Sequence, residues 1–475
     1  MDKLKFFTAT LLLFTFSIST FAQRIPHTEK YVATWTCDLL IVGGTVVTMD
    51  GERRVIEDGA VAIKDGKIAM VGTRAAVIKN LKAKQTINAA GKAVIPGLIN
   101  THTHVPMSLF RGISDDLDLQ EWLTKFIFPA EAKNVTEQFV RAGTRLGLAE
   151  MIRGGTTTYC DMYYFEDSIA DETKMAGMRA VLGETVLDFP APDNKTWDAA
   201  MSYTERFIKK WQNDALIVPA IAPHAPYTVS QEHLLAARDL SNRLSAPLVI
   251  HLAEANTETE FIQQKHKGMR PIEFVESIGF LTDRTIAAHV IQANDSELDI
   301  LKRRGVGIAH NPQSNMKLAA GVAPVPSMLR KDISVGLGTD GAASNNDVSM
   351  WEEMDTAAKL HKLYSGDQKV LPAEQAFEMA TIRGARALHL DKITGSIETG
   401  KRADIAIVDL DSLNQVPYFN IYSALVYSTK ADDVRTVVIN GRVVMLDRRL
   451  LTLNESVIKK DANAYRKRII ESLRQ

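Results

Sequence analysis

Short apolar runs alternate with longer stretches of helical periodicity through the central part of the chain. Runs of this length, separated by helices, are typical of βα units whose strands form a parallel sheet. Counting the run that ends at His104, the pattern predicts eight strands, and the other seven cover residues 156–161, 180–184, 217–224, 247–254, 285–289, 306–311 and 335–340. Eight βα units predict an α/β fold, a (β/α)8 TIM-like barrel.

Both ends of the chain have a different, β-rich pattern. Residues 38–49 and 59–71 are strand-like runs near Asp-Gly turns, and residues 403–409 and 434–444 repeat that pattern near the C-terminus. Either segment alone would leave unpaired strand edges, so we expect the two to pair in one small β-sandwich domain. Two independent β extensions are the alternative.

The N-terminus has the pattern of a cleaved export signal. Lys3 and Lys5 precede an apolar run over residues 6–18, and Thr-Phe-Ala at residues 20–22 supplies small residues ahead of a cleavage point before Gln23. The run is too short to cross a bilayer comfortably. We expect a secreted or periplasmic protein without stable membrane association after cleavage, and an uncleaved anchor is the alternative.

These patterns divide the chain into four parts. The predicted parts are a signal peptide at 1–22, the N-terminal part of the sandwich at 23–95, the barrel at 96–395, and the C-terminal part of the sandwich with a terminal helix at 396–475. A chain of 475 residues is too long for one ordinary core, and a large barrel accounts for that length.

Composition narrows the class of protein. Hydrophobic residues make up 45% of the chain and the formal net charge is -1, so the basic excess of a nucleic-acid-binding protein is missing. We expect a globular enzyme that binds a small molecule. The two cysteines, Cys37 and Cys160, are too few for a disulfide framework or a cysteine zinc knuckle. Any metal must therefore be bound by histidine and carboxylate.

Histidines and carboxylates lie at the ends of the predicted strands. Successive side chains of a strand point to opposite faces, so His102 and His104 share a face and can bind one cation. Further polar residues at strand ends are Asp161, His224, His251, Glu254, His289, His310 and Asp340. A lone histidine there is more often packed or capping. Histidine at five strand ends favours a metal-dependent active site at the carboxyl ends of the barrel strands.

Five motifs, in sequence order, resemble the amidohydrolase superfamily. They are Pro-Gly-Leu-Ile-Asn-Thr-His-Thr-His at 96–104, His-Leu-Ala-Glu at 251–254, Ala-Ala-His at 287–289, His-Asn-Pro-Gln-Ser-Asn-Met-Lys-Leu at 310–318 and Gly-Thr-Asp-Gly-Ala-Ala-Ser-Asn-Asn at 338–346. Within that superfamily, the chain resembles the methylthioadenosine/S-adenosylhomocysteine deaminases from residue 37 to the last strand. The resemblance implies a metal-dependent barrel that converts the 6-amino group of an adenosine derivative to the inosine derivative plus ammonia.

The resemblance also implies a metal site. His102, His104, His251 and Asp340 would hold one zinc per chain and leave a position for water, with iron or manganese as alternatives. Dinuclear relatives need a bridging modified lysine on the fourth strand. Residues 222–227, at the end of that strand, contain no lysine, which favours a single metal.

Catalytic roles follow from the same resemblance. Glu254, three residues after a metal ligand, matches the proton shuttle of the family, and a solvated loop carboxylate is the alternative for it. Asp340 would orient or deprotonate the attacking water, and His289 would hydrogen-bond to the attacking oxygen. Glu254 and Asp340 would contact the substrate as well.

Four further residues are candidates for substrate contact. His224 matches a family histidine near the sugar, and Glu131 matches a carboxylate that accepts the ribose hydroxyls. Trp122 lies in the region that would border the 5' side of the substrate, and packing on a helix face is an equal alternative. Ser344, in the same motif as Asp340, completes the set.

Glu184 predicts a preference for an uncharged substrate. Relatives that accept S-adenosylhomocysteine carry arginine at or just after the third strand, where it suits the amino-acid carboxylate. This chain has Glu184 there, which would repel a carboxylate, and Lys195 nearby would partly compensate. We expect methylthioadenosine or adenosine to be favoured over S-adenosylhomocysteine.

Two other functions stay open. Deamination or dechlorination of guanine, cytosine or a triazine would use the same metal ligands, although Glu131 and His224 favour a nucleoside. A secreted metal- or ligand-binding protein without catalysis would be expected to lack Glu254 or one of the ligands. The sequence leaves the oligomeric state open, a homo-oligomer included.

Overall fold

The computed structural model describes residues 35–474. The predicted signal peptide, residues 1–22, lies outside that range. Within residues 35–474, none of the helices combines the length and the apolar composition needed to cross a membrane.

The described residues form strands and helices along their whole length. The strands are β1 (Trp35–Val47), β2 (Val55–Lys64), β3 (Lys67–Thr73), β4 (Leu81–Asn88), β5 (Lys92–Pro96), β6 (Leu98–Thr103), β7 (Thr156–Tyr163), β8 (Arg179–Val186), β9 (Ile217–Pro223), β10 (Leu248–Leu252), β11 (Thr285–His289), β12 (Gly307–His310), β13 (Val335–Leu337), β14 (Ile405–Asp409), β15 (Val434–Ile439), β16 (Arg442–Leu446) and β17 (Arg449–Leu450).

The helices are α1 (Arg74–Val77), α2 (Leu119–Glu121), α3 (Phe128–Asn134), α4 (Glu137–Arg153), α5 (Glu166–Ala176), α6 (Trp197–Trp211), α7 (Gln231–Leu244), α8 (Asn256–Lys265), α9 (Pro271–Ser277), α10 (Asp295–Arg304), α11 (Pro312–Lys317), α12 (Val325–Arg330), α13 (Met350–Ser365), α14 (Ala373–Met379), α15 (Ile382–Ala387), α16 (Ile421–Ser423) and α17 (Glu455–Leu473). A π-helix over Trp122–Ile127 joins α2 to α3.

Nine strands from both ends of the chain form one sheet. Its order is β17-β16-β15-β14-β5-β1-β2-β3, and β4 also pairs with β1. The chain ends meet where β5 pairs with β14 in antiparallel orientation. Two-residue turns at Asp65-Gly66 and Asn440-Gly441, all with positive φ, close the hairpins β2–β3 and β15–β16. The β domain predicted from both chain ends is confirmed.

The other eight strands form the barrel. They run parallel in the order β6 to β13, and the two ends of this sheet meet where Asp340 N donates to His102 O (2.9 Å). Side chains such as Cys160, Val181 and Val249 fill the interior. The prediction of a TIM-like α/β barrel is confirmed, and its carboxyl ends lie where the sequence places most of the candidate site residues.

Gly97 separates two strands that belong to different sheets. β5 ends at Pro96 in the mixed sheet, and β6 begins at Leu98 in the barrel. A Cβ atom on Gly97 would lie 2.1 Å from the Thr157 side chain, so only glycine fits this close approach. The apolar run that ends in His104 is therefore two strands, and the second of them carries the paired histidines.

A buried ion pair joins the start of the barrel strand β8 to the mixed sheet. Arg179 Nε lies 2.8 Å from Asp404 Oδ2, and the two side chains are 3% and 0% exposed. Asp404 Oδ1 also accepts a hydrogen bond from Asn440 N (2.7 Å). Because both charges are out of water, each depends on the other for its stabilisation.

Candidate active site

Three histidines and one aspartate converge at the carboxyl ends of the barrel strands. His102 and His104 lie at the end of β6, His251 lies in β10, and Asp340 follows β13. His104 Nε2 is 3.4 Å from His251 Nε2 and 3.2 Å from Asp340 Oδ1. His102 Nε2 is 3.5 Å from the same carboxylate oxygen. The structure thus brings together the four residues that the resemblance proposed as metal ligands.

These separations fit a tetrahedral divalent metal. Zinc lies about 2.0–2.1 Å from a histidine nitrogen, so the edge of a tetrahedron around it is about 3.4 Å. Two overlapping groups have ligand atoms within 4.8 Å of one another: His102 with His104 and His251, and His102 with His289 and Asp340. His102 Nε2 is buried without a hydrogen-bond partner, which a metal would supply. The nitrogen and carboxylate donors suit zinc, iron or manganese.

Backbone carbonyl groups orient two of the imidazoles. His104 Nδ1 is 2.5 Å from Met162 O, and His251 Nδ1 is 2.9 Å from His224 O. Since a carbonyl oxygen only accepts, each Nδ1 carries the proton and each Nε2 presents its lone pair to a metal. Burial lowers the pKa of His102 to about 4 and holds the pKa of His251 well below its usual value. Both side chains are therefore neutral, the form that binds metal. At His104 the hydrogen bond to Asp340 outweighs burial and raises the pKa to about 9, so a metal would displace a proton from its Nε2.

Hydroxyl groups hold the carboxylate of Asp340. Its Oδ2 accepts from Ser314 Oγ (2.7 Å) and Ser344 Oγ (3.2 Å), which leaves Oδ1 toward His102 and His104. Asp340 has a φ of +63°, a conformation that is uncommon for a residue with a Cβ. Ser344 lies behind Asp340 because the turn after the aspartate folds back, with Ser344 N donating to Gly341 O (3.0 Å). Ser344 thus supports Asp340, and its contact with the substrate stays a prediction.

Glu254 faces the same space from the loop after β10. The residue is buried, and its Oε1 lies 3.6 Å from His289 Nε2. The two carboxylate oxygens of Glu258 accept from Ala253 N (3.1 Å) and Glu254 N (2.8 Å), which fixes the loop. Burial raises the pKa of Glu254, so its carboxyl group keeps a proton to higher pH than a free glutamate does.

His289 ends β11 beside Glu254. Its φ is +72°, and its Nδ1 is 2.9 Å from the side-chain oxygen of Asn315. The side-chain nitrogen of Asn311 lies 3.3 Å from the same Nδ1. These two amides hold the imidazole so that Nε2 faces Glu254.

A pocket extends from the metal ligands, and polar groups form part of its wall. Glu254, His224, Glu131 and Tyr163 all line it. Tyr163 Oη donates to Glu131 Oε1 (2.7 Å), and burial raises the pKa of Glu131 to about 7. Burial lowers the pKa of His224 to about 3, so this imidazole is neutral. The structure thus places Glu131 and His224 in one pocket with Glu254.

The rest of the pocket wall is largely apolar. It includes Leu119, Trp122, Leu123, Ile127, Phe128 and Leu318. Trp122 belongs to the π-helix before α3, and its Nε1 is buried without a partner. Trp122 therefore borders the pocket in addition to packing in the core.

Glu184 lies on the other side of its strand. Side chains alternate along β8: Val181 belongs to the barrel interior and Thr185 lines the pocket, so Glu184 points outward to the helices. There its Oε2 accepts from Glu166 N (3.0 Å). Burial raises the pKa of Glu184 well above its usual value, which keeps the group uncharged. The expected repulsion between Glu184 and a substrate carboxylate is therefore wrong.

The residues that support these groups were not among those predicted from the sequence. Glu258, Ser314, Asn315 and Tyr163 hold Glu254, Asp340, His289 and Glu131 respectively. A signal existed for Ser314 and Asn315, which lie within the motif at 310–318, and for Glu258, an acidic residue in the first turn of α8. The role of Tyr163 depends on the approach of α3 to the end of β7, which only the fold shows.

Comparisons with known proteins agree with this geometry. The model of the amidohydrolase family matches residues 93–444. A 5-methylthioadenosine/S-adenosylhomocysteine deaminase from Syntrophobacter fumaroxidans is 48% identical over 417 residues, which cover 88% of this chain and 95% of that protein. A 5'-deoxyadenosine deaminase from Methanosarcina barkeri is 41% identical over 428 residues, which cover 90% and 96%. The crystal structure of an adenosine deaminase from Xanthomonas campestris with bound zinc has a TM-score of 0.91 at 37% identity and covers 92% of this chain and 100% of that one.

Proposed function

The chain belongs to the amidohydrolase family and is a hydrolase of carbon–nitrogen bonds, and we propose a more specific activity on that basis. The protein is a zinc-dependent deaminase of adenosine derivatives. The reaction would replace the 6-amino group by oxygen and release ammonia. The observation that carries the proposal is Glu254, a buried acid next to a set of metal ligands, in a pocket whose wall is otherwise largely apolar.

His102, His104, His251 and Asp340 would hold one zinc per chain. The support is the spacing of their ligand atoms and the protonation of His104 and His251 at Nδ1. When bound, zinc supplies Lewis acidity that makes water a nucleophile near neutral pH. Asp340 would orient that water and take its proton, because its carboxylate is held in one orientation by two serine hydroxyls at Oδ2 and by Gly341 N (2.8 Å) at Oδ1.

Glu254 would supply the proton on which deamination depends. An amino group leaves an aromatic ring poorly, so the ring nitrogen must gain a proton while the oxygen attacks the neighbouring carbon. The raised pKa of Glu254 favours the protonated form that donates. His289 Nε2, which lies 3.6 Å from Glu254 Oε1, would hydrogen-bond to the attacking oxygen. The proton that Asp340 takes from the water would then pass to the amino group, which leaves as ammonia, and the remaining proton of the attacking oxygen would return to Glu254.

The pocket wall suits a nucleoside with a neutral 5' substituent. Glu131 would accept the ribose hydroxyls, with His224 nearby. Among the described residues, the pocket lining includes neither lysine nor arginine, and Lys195 Nζ donates to Ala191 O (2.7 Å). A substrate carboxylate would therefore enter without a cationic partner. The proposed preference for methylthioadenosine or adenosine over S-adenosylhomocysteine rests on this lining, with Trp122 beside the 5' side.

The test is a comparison of kcat/KM for methylthioadenosine, adenosine and S-adenosylhomocysteine with zinc-loaded protein in one buffer. Loss of adenine absorbance and release of ammonia are both measured. An unmatched charge at a partly desolvated site costs a few kcal/mol, so we expect a preference of at least about tenfold for the two neutral nucleosides. Equal or better turnover of S-adenosylhomocysteine would contradict the preference. Turnover of guanine or a triazine but of no adenosine derivative would contradict the proposed function.

We also propose that the protein is exported through a signal at residues 1–22. The support is the sequence pattern of those residues. Mass analysis of the native N-terminus is expected to show a mature chain that begins at or near Gln23 and is located outside the cytoplasm. An intact Met1 on the native protein would contradict export by cleavage.

A further inference from the structure

Two consecutive residues of β7 determine how His104 is held. Met162 O accepts the proton of His104 Nδ1. The neighbouring Asp161 acts on both sides of the same histidine, because its Oδ1 accepts from Thr103 Oγ1 (2.6 Å) and from Val105 N (2.6 Å). Asp161 is fully buried. The position of the His104 backbone therefore depends on where the carboxyl group of Asp161 lies.

The second carboxyl oxygen of Asp161, Oδ2, faces the side chain of another acidic residue, Glu166. Asp161 Oδ2 is buried and receives no N–H or O–H from the described residues. The Asp161 side chain lies against that of Glu166, at the start of α5, and Oδ2 is the Asp161 oxygen that is not engaged elsewhere. Glu166 is also fully buried, its Oε1 accepts from Tyr163 N (3.1 Å), and its Oε2 has no partner either. Each of the two facing carboxyl groups thus has one oxygen without a partner.

One proton shared by Asp161 Oδ2 and Glu166 Oε2 would give each of these oxygens a hydrogen-bond partner. Two facing carboxylates cannot both ionise in a buried site, and one shared proton converts their repulsion into a hydrogen bond. The surroundings of Glu166 favour its protonated form, because Glu184 accepts from its backbone N–H and Asp193 adds a further acidic side chain. Among the described residues, groups of three or more possible metal ligands occur only at the histidine centre, so this pair of acids lacks a third ligand, which favours a proton over a metal ion between them.

We propose that Glu166 is a positioning residue for the metal ligand His104. The protonated carboxyl group of Glu166 donates to Asp161 Oδ2 and so fixes the Asp161 side chain. Asp161 Oδ1 then holds Thr103 and Val105, the residues on both sides of the histidine. The inference concerns the metal site on which the proposed function rests, but it does not depend on the identity of the substrate. Supporting contacts behind a metal ligand typically account for 10- to 100-fold in metal affinity or activity, as an order of magnitude.

The test compares two substitutions of Glu166 by zinc affinity, measured in competition with a chromophoric chelator. Glu166→Gln keeps a donor for Asp161 Oδ2 and an acceptor for Tyr163 N, so we expect zinc affinity within about threefold of the wild type. Glu166→Met has a similar size but no donor, and we expect about 10- to 100-fold weaker zinc binding. The visible spectrum of the cobalt-substituted protein should change in the Met variant and not in the Gln variant, because it reports the ligand geometry directly.

A matched control separates positioning from simple loss of stability. Glu172 is a second buried glutamate in α5, paired with Arg141 and Arg145 and not with Asp161. Glu172→Met should destabilise the fold but leave zinc affinity and the cobalt spectrum of the folded protein unchanged. Equal losses of zinc affinity in Glu172→Met and Glu166→Met would overturn the proposal, and so would wild-type affinity and spectrum in Glu166→Met.

Asp161→Asn tests the same contact from the other side. The amide keeps an oxygen for Thr103 and Val105 and offers an N–H to Glu166, so we expect zinc affinity close to that of the wild type. If Glu166→Met does not fold, the zinc affinity of Asp161→Asn is the measurement that tests the proposal. A loss of zinc affinity above about tenfold in Asp161→Asn would show that the charge of Asp161 matters more than its hydrogen bonds, and the proposal would fail. None of these measurements needs a substrate, so their outcome is independent of the deamination assay.

Discussion

Replacing Glu254 by glutamine should remove most of the activity and none of the metal. Glutamine has nearly the same shape, and Glu254 belongs to neither group of possible metal ligands in the described residues. The backbone N–H of residue 254 would still donate to Glu258. What disappears is the ability to donate a proton at the ring nitrogen. A positioned general acid or base contributes about 10²- to 10⁴-fold, which corresponds to about 3–5.5 kcal/mol in the activation barrier.

The assay measures kcat for methylthioadenosine by loss of adenine absorbance, with the zinc content determined on the same sample. We expect a decrease of about 10²- to 10⁴-fold in kcat with a full complement of zinc. Glu260→Gln is the matched control, because Glu260 is an exposed glutamate of α8, and its turnover should stay at the wild-type level. Turnover of Glu254→Gln within about fivefold of the wild type, with full zinc, would refute proton transfer by this residue.

Three further substitutions test the remaining parts of the account. His102→Ala should lose both zinc and turnover, since its buried Nε2 is one corner of the metal site, and elemental analysis that finds full zinc would contradict this assignment. Glu131→Ala should lower kcat/KM for every riboside by about tenfold or more, because hydrogen bonds to the two ribose hydroxyls would contribute about 0.5–1.5 kcal/mol each, and unchanged values would exclude Glu131 from ribose binding. Arg179→Met should lower the free energy of unfolding in urea by about 3–5 kcal/mol, since it leaves Asp404 buried without a counter-charge. The double variant with Asp404→Leu should recover most of that loss, and equal destabilisation of both variants would show that packing, not charge, is responsible.

The barrel and its metal ligands could be predicted because their signals are local. Strand-length apolar runs recur through the chain, and polar residues follow them at the ends where a parallel sheet gathers its side chains. His102 and His104 needed only the two-residue repeat of a strand. The predicted strand ending at His289 agrees with the structure at both ends. These features require no knowledge of which elements touch.

The orientation of Glu184 could not be predicted, because it depends on which elements pack on each face of its strand. Every residue of β8 is buried, because the strand has the barrel interior on one face and helices on the other. Strands of this kind lack the alternation of apolar and polar residues that tells the inner face from the outer one. A glutamate in such a strand is equally consistent with the pocket and with the helix layer. The hydrogen bond of Ser344 to Asp340 could not be predicted either, because it is set by the turn that follows Asp340.

The pairing of β5 with β14 has a consequence for how the protein is made. Ile95 and Ala406 are neighbours in the sheet although more than 300 residues separate them along the chain. The whole barrel is therefore synthesised before the strand that completes the sheet leaves the ribosome, and such distant pairing is slow to form. A chain that terminates before Asp404 would contain every barrel strand and every proposed zinc ligand, yet it would expose the edge of β5 and lack the counter-charge of Arg179. We expect such truncated chains to aggregate, so that only full-length synthesis yields a stable protein.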